Sequence, residues 1–244
     1  MKTIIISTIL SISALTSVAQ VSTPLPPREG PEVSLSADVV SSYIWRGQDL
    51  GSTAIQPTLG VAYKGLSLTA WGSYGLVNPA DTKEFDLTLA YTIGGLNIGV
   101  TDYWFNTGLD PKNRYLKYDA HGTNHVFEAN VGYDFGIASL QLFTNFGGND
   151  GVNKDGKRAY SSYFEVIVPF KLASVDWAAT AGAVPFATDF YNGWTSGFAV
   201  TNLSLKATKD IKVTDSFSVP VFAQIAANPC TQNAYLVLGL KLQP

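Results

Sequence analysis

The sequence predicts an all-β chain that closes into an antiparallel transmembrane β-barrel of about twelve strands. Three observations carry this. Short segments alternate apolar and polar residues at period two, the pattern of a strand with two unlike faces. The hydrophobic share is 46% while charged residues make up only 14% and aromatics reach 12%. That balance is too apolar for a soluble β protein, whose outer faces are polar, and suits one whose outer face meets lipid. Thirdly, tight turns alternate with longer connections along the chain, as short periplasmic turns and long external loops do in such barrels.

The chain opens with Met1-Lys2-Thr3, an apolar run from Ile4 to Leu15, and Ser17-Val18-Ala19 before Gln20. A charged start, a short apolar core and small residues at a cut site predict a secretory signal peptide over residues 1–19. The run is too short for a membrane-spanning helix. Cleavage after Ala19 removes Lys2 and no acid, so the net charge moves from −3 to −4. This weak acidity offers no basic surface for nucleic acid. Residues 20–31 hold Pro24, Pro26, Pro27 and Pro31 and read as an extended periplasmic lead-in. The barrel is assigned to residues 32–244. The lone Cys230 has no partner for an intramolecular disulfide and no metal-ligand companions.

The first strand organises the rest. From Ser36 to Gly47 the chain reads S-A-D-V-V-S-S-Y-I-W-R-G, and the alternation already starts at Glu32. Val33, Leu35, Ala37, Val39, Tyr43 and Trp45 fall on one side. Glu32, Ser34, Ser36, Asp38, Ser42 and Arg46 fall on the other. At about 3.3 Å per residue and a tilt of about 40°, roughly ten such residues cross the apolar layer. A loop over 46–53 leads to the second strand, Ala54 to Tyr63, where Pro57 is a local conflict because proline cannot donate to a ladder. Lys64-Gly65 reverses the chain into the third strand, Leu66 to Leu76. In the fourth, Phe85, Leu87, Leu89, Tyr91 and Ile93 alternate with Glu84, Asp86, Thr88 and Thr92. Gly94-Gly95 then joins it to the fifth, Leu96 to Phe105.

After the longest gap, Asn106 to Asn124, the sixth strand sets Phe127, Ala129, Val131, Tyr133 and Phe135 against Glu128, Asn130 and Asp134. The seventh runs from Ser139 to Gly147. The eighth carries Phe164, Val166, Val168 and Phe170 opposite Tyr163, Glu165 and Lys171. The ninth, Val175 to Val184, is rich in alanine and does not declare its facing. In the tenth, Leu203 and Leu205 oppose Asn202, Ser204 and Lys206. The eleventh places Phe217, Val219, Val221, Ala223 and Ile225 on one face, and the twelfth alternates Leu236, Leu238, Leu240 and Leu242 with Val237, Gly239, Lys241 and Gln243. The connection near 208–214 is of middling length and fits the short set less well than the others.

With the first strand running outward, Tyr43, Trp45, Tyr74, Phe85, Trp104, Phe146 and Tyr160 gather at the external end. Tyr63, Tyr91, Tyr133, Phe135 and Phe170 gather at the periplasmic end. Two such belts are where amphipathic rings meet the water–lipid interfaces. The run S-S-Y-I-W-R-G at Ser41 to Gly47, Gln56-Pro57, and G-L-S-L-T-A-W-G-S at Gly65 to Ser73 together resemble the opening of the Gcw_chp-type bacterial outer-membrane proteins, a group of unknown function. The resemblance covers about residues 36–76 and implies a secreted barrel. It implies no activity and no catalytic residues.

The chemistry of enzymes is hard to find. His121 and His125 are the two histidines, and Gly122 and Asn124 argue for a turn rather than a metal-binding helix between them. Both read as ordinary loop histidines. Serines are plentiful, yet no pattern singles out one with a base and an orienting group. Asn149, Asp150 and Asp155 cluster hard oxygens but match no calcium-loop spacing. No catalytic residue, metal ligand or cofactor is assigned.

The polar faces say more. If the strands close, Asp38, Arg46, Trp71, Glu84, Asp86, Glu128, Asn130, Glu165, Lys171, Lys206 and Lys241 point into the lumen, with Tyr103, Phe143 and Tyr163 beside them. The acids fall in the middle and outer half, the lysines towards the periplasmic end. Arg46 is expected to pair with Asp38, Glu84 or Asp86, since a desolvated charge is costly without a partner. Eight strands are filled by side chains and sixteen leave an open channel, so twelve predict a narrow or partly occluded path. The expected function is a small channel in the outer membrane of a Gram-negative bacterium, with the lipid bilayer and a small polar solute as partners. A non-conducting structural or surface-binding barrel is the alternative, and an outer-membrane hydrolase the third reading.

Overall fold

A computed structural model describes residues 30–108, 110–119, 122–193, 197–215 and 217–244. The signal peptide predicted over 1–19, most of the lead-in, His121 and Trp194 lie outside the described residues. The wall begins with β1 (Glu32–Val40) and continues, after a hairpin of β2 (Tyr43–Trp45) and β3 (Gln48–Gly51), with β4 (Ala54–Tyr63) and β5 (Leu66–Gly75). Next come β6 (Thr82–Ile93), β7 (Leu96–Thr107), β8 (His125–Asp134) and β9 (Ser139–Gly148). β10 (Ser162–Leu172), β11 (Val175–Val184), β12 (Ala199–Lys212), β13 (Ser218–Asn228) and β14 (Asn233–Leu242) complete it.

Twelve of these strands form one closed antiparallel barrel, each paired with its neighbours in the wall. β1 joins β14 on one side and β4 on the other, so the barrel has no free edge. The outer face is apolar: Leu35, Leu59, Leu68, Leu89, Val100, Val131, Leu142, Val168, Leu205, Ile225 and Leu238 are all exposed there. The inner face buries Thr69, Thr88, Thr101, Glu128, Asn130 and Asn202. A soluble protein would have it the other way round. The chain is therefore a transmembrane β-barrel, its strands crossing the apolar layer.

Leu89 sits mid-belt, flanked by register partners Leu68 on β5 and Val100 on β7. Leu89→Arg should destabilise insertion by about 2–4 kcal/mol, the depth-dependent cost of a cation facing lipid near the midplane. Leu89→Thr should cost much less. Urea titration of the refolded barrel in liposomes measures the difference.

Several local features have simple causes. The ladder between β4 and β5 lapses at Gln56 and Pro57, which is how the strand carries a residue without an N–H. β12 runs on to Lys212, so the 208–214 connection is a continued strand followed by a tight turn, closed by Val213 N–H and Thr214 N–H donating to the Phe217 carbonyl at 2.9 and 3.0 Å. In β11, Ala178, Gly182 and Val184 face inward, and a register shift follows Gly182. A Cβ on Gly182 would lie 1.9 Å from the Tyr163 hydroxyl, so the absent side chain is what lets that ring enter.

The external belt keeps Tyr74, Phe85, Phe146 and Tyr160 exposed, and the periplasmic belt keeps Tyr63, Tyr91, Tyr133, Phe135 and Phe170. Tyr43 and Trp45 do not belong to it. Both are 3% exposed and lie inside the barrel. The expectation of one strand continuing to Gly47 fails at Ser41-Ser42, where a bend takes the chain off the wall and into the lumen. The predicted 46–53 external loop is instead the far arm of an inward hairpin.

His125 is likewise no loop residue: it opens β8 and is wholly buried. Its Nδ1 lies 2.6 Å from Asp102 Oδ1 and its Nε2 2.6 Å from the Tyr115 carbonyl, while Tyr118 donates to Asp102 Oδ2 at 3.0 Å. The imidazole clips the 108–124 connection to the rim of β7 and β8.

Candidate functional site

β2 and β3 form a hairpin whose two-residue turn is Arg46-Gly47, closed by the Trp45–Gln48 pair. Both turn residues have positive φ, 50° for Arg46 and 81° for Gly47, as a tight primed hairpin turn requires. Glycine reaches this region freely and arginine does so at a cost. The tip rests against the wall at β12 and β13. Asn228 Nδ2 donates to the Gly47 carbonyl at 3.0 Å, and a Cβ on Gly47 would lie 1.8 Å from the Thr201 carbonyl oxygen. Thr201 itself is fully buried, next to the step where β12 shifts register against β11.

At the tip, Arg46 meets Glu128 of β8 in a two-pronged ion pair. Nη1 lies 2.5 Å from Oε2 and Nη2 3.0 Å from Oε1, and the side chains are 7% and 1% exposed. Arg46 Nη1 also donates to the Tyr191 hydroxyl, and Tyr103 donates to Glu128 Oε1 at 2.8 Å. Rings enclose the guanidinium. Its Cζ is 4.0 Å from the centroid of Phe143, 4.4 Å from Trp45, 4.8 Å from Tyr163 and 5.9 Å from Tyr191. A delocalised cation is drawn to ring faces and to a fork of carboxylate oxygens at once.

Around this centre the outer half of the lumen is packed. Trp45 stacks on Tyr191 and meets Tyr103 edge-on, and Tyr43 lies 5.6 Å from Trp71. The Tyr43 hydroxyl donates to Glu84 at 2.8 Å, and Glu84 and Asp86, two apart on one face of β6, bring their carboxyl groups together. Tyr163 donates to Glu165 at 2.9 Å.

The periplasmic half is different. Asn130 donates to Asn97 and Asn97 to Thr92, both at 2.9 Å, and Thr88 pairs with Thr101 at 3.0 Å. Asp38 faces Lys241 at 3.8 Å, with Lys206 lying 4.0 Å over the Phe222 ring. Ser36, Thr58, Ser67, Gln141, Thr180, Ser204 and Gln224 are only partly buried on the same inner face. The lower lumen is lined by hydroxyl and amide groups that are less deeply buried than the ring-packed centre above.

Of the residues placed in the lumen by alternation, Asp38, Trp71, Glu84, Asp86, Glu128, Asn130, Glu165, Lys206 and Lys241 lie on the inner face. Arg46 reaches it from the hairpin instead of from the wall. Its partner is Glu128, not Asp38, Glu84 or Asp86. Lys171 sits at the turnward end of β10, its side chain 69% exposed and paired with Asp176 at 3.2 Å, so it belongs to the rim. Asp150 is buried in the external 148–161 connection, accepting from Asn145 and the Ser161 backbone, and burial raises its carboxyl above the usual carboxylate range. Sequence reasoning missed Tyr43, Trp45, Tyr191, Asn228 and the tip at Gly47. The signal for the hairpin was the serine pair before it and the two-residue R-G that follows the short apolar arm Tyr43–Trp45.

No family model matches the chain, and no curated protein does. Among solved structures it is similar to a porin at 12% identity over 87% of this chain and 100% of that one, with a TM-score of 0.39. An outer-membrane channel from Pseudomonas putida F1 aligns at 13% identity over 92% of this chain and 98% of its own, with a TM-score of 0.41. A doubly substituted OccD1 (OprD) aligns at 12% over 89% of this chain and 66% of its own, with a TM-score of 0.37.

Proposed function

We propose that this chain is an outer-membrane channel for small polar solutes, exported with the help of its amino-terminal segment and held shut near its outer end by the β2–β3 hairpin. The observation that carries this is the hairpin itself. It is not part of the wall, it packs inside the lumen, and below it the inner face carries half-buried hydroxyl and amide groups. A barrel serving only as a wall could be filled by its own inward side chains. The resemblance of residues 36–76 to the Gcw_chp-type proteins belongs to this reading, since the shared S-S-Y-I-W-R-G run is the hairpin's first arm and turn.

The test is single-channel recording in planar bilayers. The wild type should conduct weakly and in brief openings. A variant in which a short Gly-Ser link replaces residues 43–51 should conduct several-fold more. It should also prefer cations clearly, because Glu84, Asp86, Glu128 and Glu165 lose the one arginine that offsets them. The preference should fade as salt screens it. Lys206 and Lys241 near the inner mouth hold the wild type to a modest preference. Silence from both proteins would favour the second reading, a non-conducting barrel with its external connections as the working part. That reading draws on the burial of Arg46 and Glu128, whose side chains are 7% and 1% exposed.

A further inference from the structure

Arg46 sits in its cage as a ligand sits in a site. Most of what touches the guanidinium comes from elsewhere in the chain: Glu128 on β8, Phe143 on β9, Tyr163 on β10, and Tyr191 in the connection after β11. Only Trp45 travels with it on the hairpin. Withdrawing the hairpin would leave a carboxylate with two open lone-pair directions, a tyrosine hydroxyl, and two or three ring faces set about a planar cation. Tyr103 would still hold Glu128 in place through its 2.8 Å hydrogen bond, and Tyr163 would still hold Glu165 nearby at 2.9 Å. We infer that this cage is a binding site for guanidinium-bearing solutes, and that Arg46 occupies it as a built-in mimic of the solute while the path is closed.

The geometry favours a guanidinium over other cations. Two N–H groups side by side, on Nη1 and Nη2, make parallel bonds at 2.5 and 3.0 Å to the two oxygens of Glu128, a fork that an ammonium with its single nitrogen does not reproduce. A flat, weakly hydrated ion also stacks on Phe143 at the 4.0 Å seen for Arg46, where sodium would keep its water shell. As a statement of what passes through the barrel the inference rests on the channel reading; as a statement of binding it does not.

The experiment uses the full mature barrel in detergent micelles with Arg46→Ala. Guanidinium chloride, agmatine and sodium chloride are compared at equal ionic strength and at millimolar concentrations, far below those that denature. Guanidinium and agmatine should raise the melting temperature of Arg46→Ala by several degrees in a saturable way and leave the wild type unmoved. Arg46→Ala/Glu128→Gln should lose the effect. A shift no greater than sodium gives, or an equal shift in the wild type, would overturn the inference. Should Arg46→Ala refold poorly, its refolding yield is the readout: guanidinium restores it if the cage takes the ion, and equally low yields with guanidinium and sodium count against the site. Thermal rescue alongside silent bilayers would retire the channel and keep the site. Conduction without rescue would do the reverse.

Discussion

Gly47→Ala should unseat the hairpin and raise single-channel conductance several-fold, towards that of the barrel lacking residues 43–51. The new Cβ would stand 1.8 Å from the Thr201 carbonyl oxygen and 2.8 Å from its carbon, both backbone atoms of the wall. No rotamer relieves such a contact, so either the tip or β12 must move. β12 is tied along its length to β11 and β13, whereas the tip is held by one hydrogen bond from Asn228 and by the contacts of Arg46. The tip is the weaker party. Alanine at a φ of 81° adds a left-handed penalty of about 1–2 kcal/mol. Moving the tip also lengthens the Arg46–Glu128 contacts, so the clash propagates to the centre of the plug. Hydrogen exchange over residues 43–51, which should quicken together with the rise in conductance, checks that the two effects share a cause. Unchanged conductance with faster exchange would mean that the hairpin is not what blocks the path.

The second large effect belongs to Glu128. Glu128→Ala leaves the Arg46 guanidinium deep in the plug without its carboxylate, and breaking a buried pair in this way costs about 3–5 kcal/mol if the charge stays where it is. Glu165, another acid on the inner face, is engaged by Tyr163. The hairpin should therefore leave its seat, and urea unfolding in liposomes should show a loss near the lower end of that range, since escape to water relieves part of the cost. Arg46→Ala/Glu128→Ala should be more stable than Glu128→Ala alone, because the uncompensated charge is gone. That ordering separates a charge effect from a cavity effect. If the double variant is the weaker of the two, the ion pair is ordinary packing and its charge decides nothing.

The wall of this protein was legible in its sequence. Leu66, Leu68 and Ala70, or Phe127, Ala129 and Val131, alternate with polar neighbours, and a strand forces that alternation onto two opposite faces without help from distant residues. Closure follows from having enough such strands with lipid on one side, and the belts of Tyr63, Tyr91 and Tyr133 or of Tyr74 and Phe146 follow from strand ends. Alternation counts parity along an unbroken strand, and that is where its reach ended. At Ser41-Ser42 a bend resets the count, so Tyr43 and Trp45 went from the predicted lipid face to the lumen. The rings themselves do not tell the two apart, since an aromatic ring with one polar atom is as stable against a headgroup as against Glu84 or Tyr191. The partner of Arg46 was beyond local reading for the same reason. Glu128 lies 82 residues away on β8, and only the seating of the tip against Thr201 and Asn228 in the closed barrel decides which carboxylate the guanidinium meets.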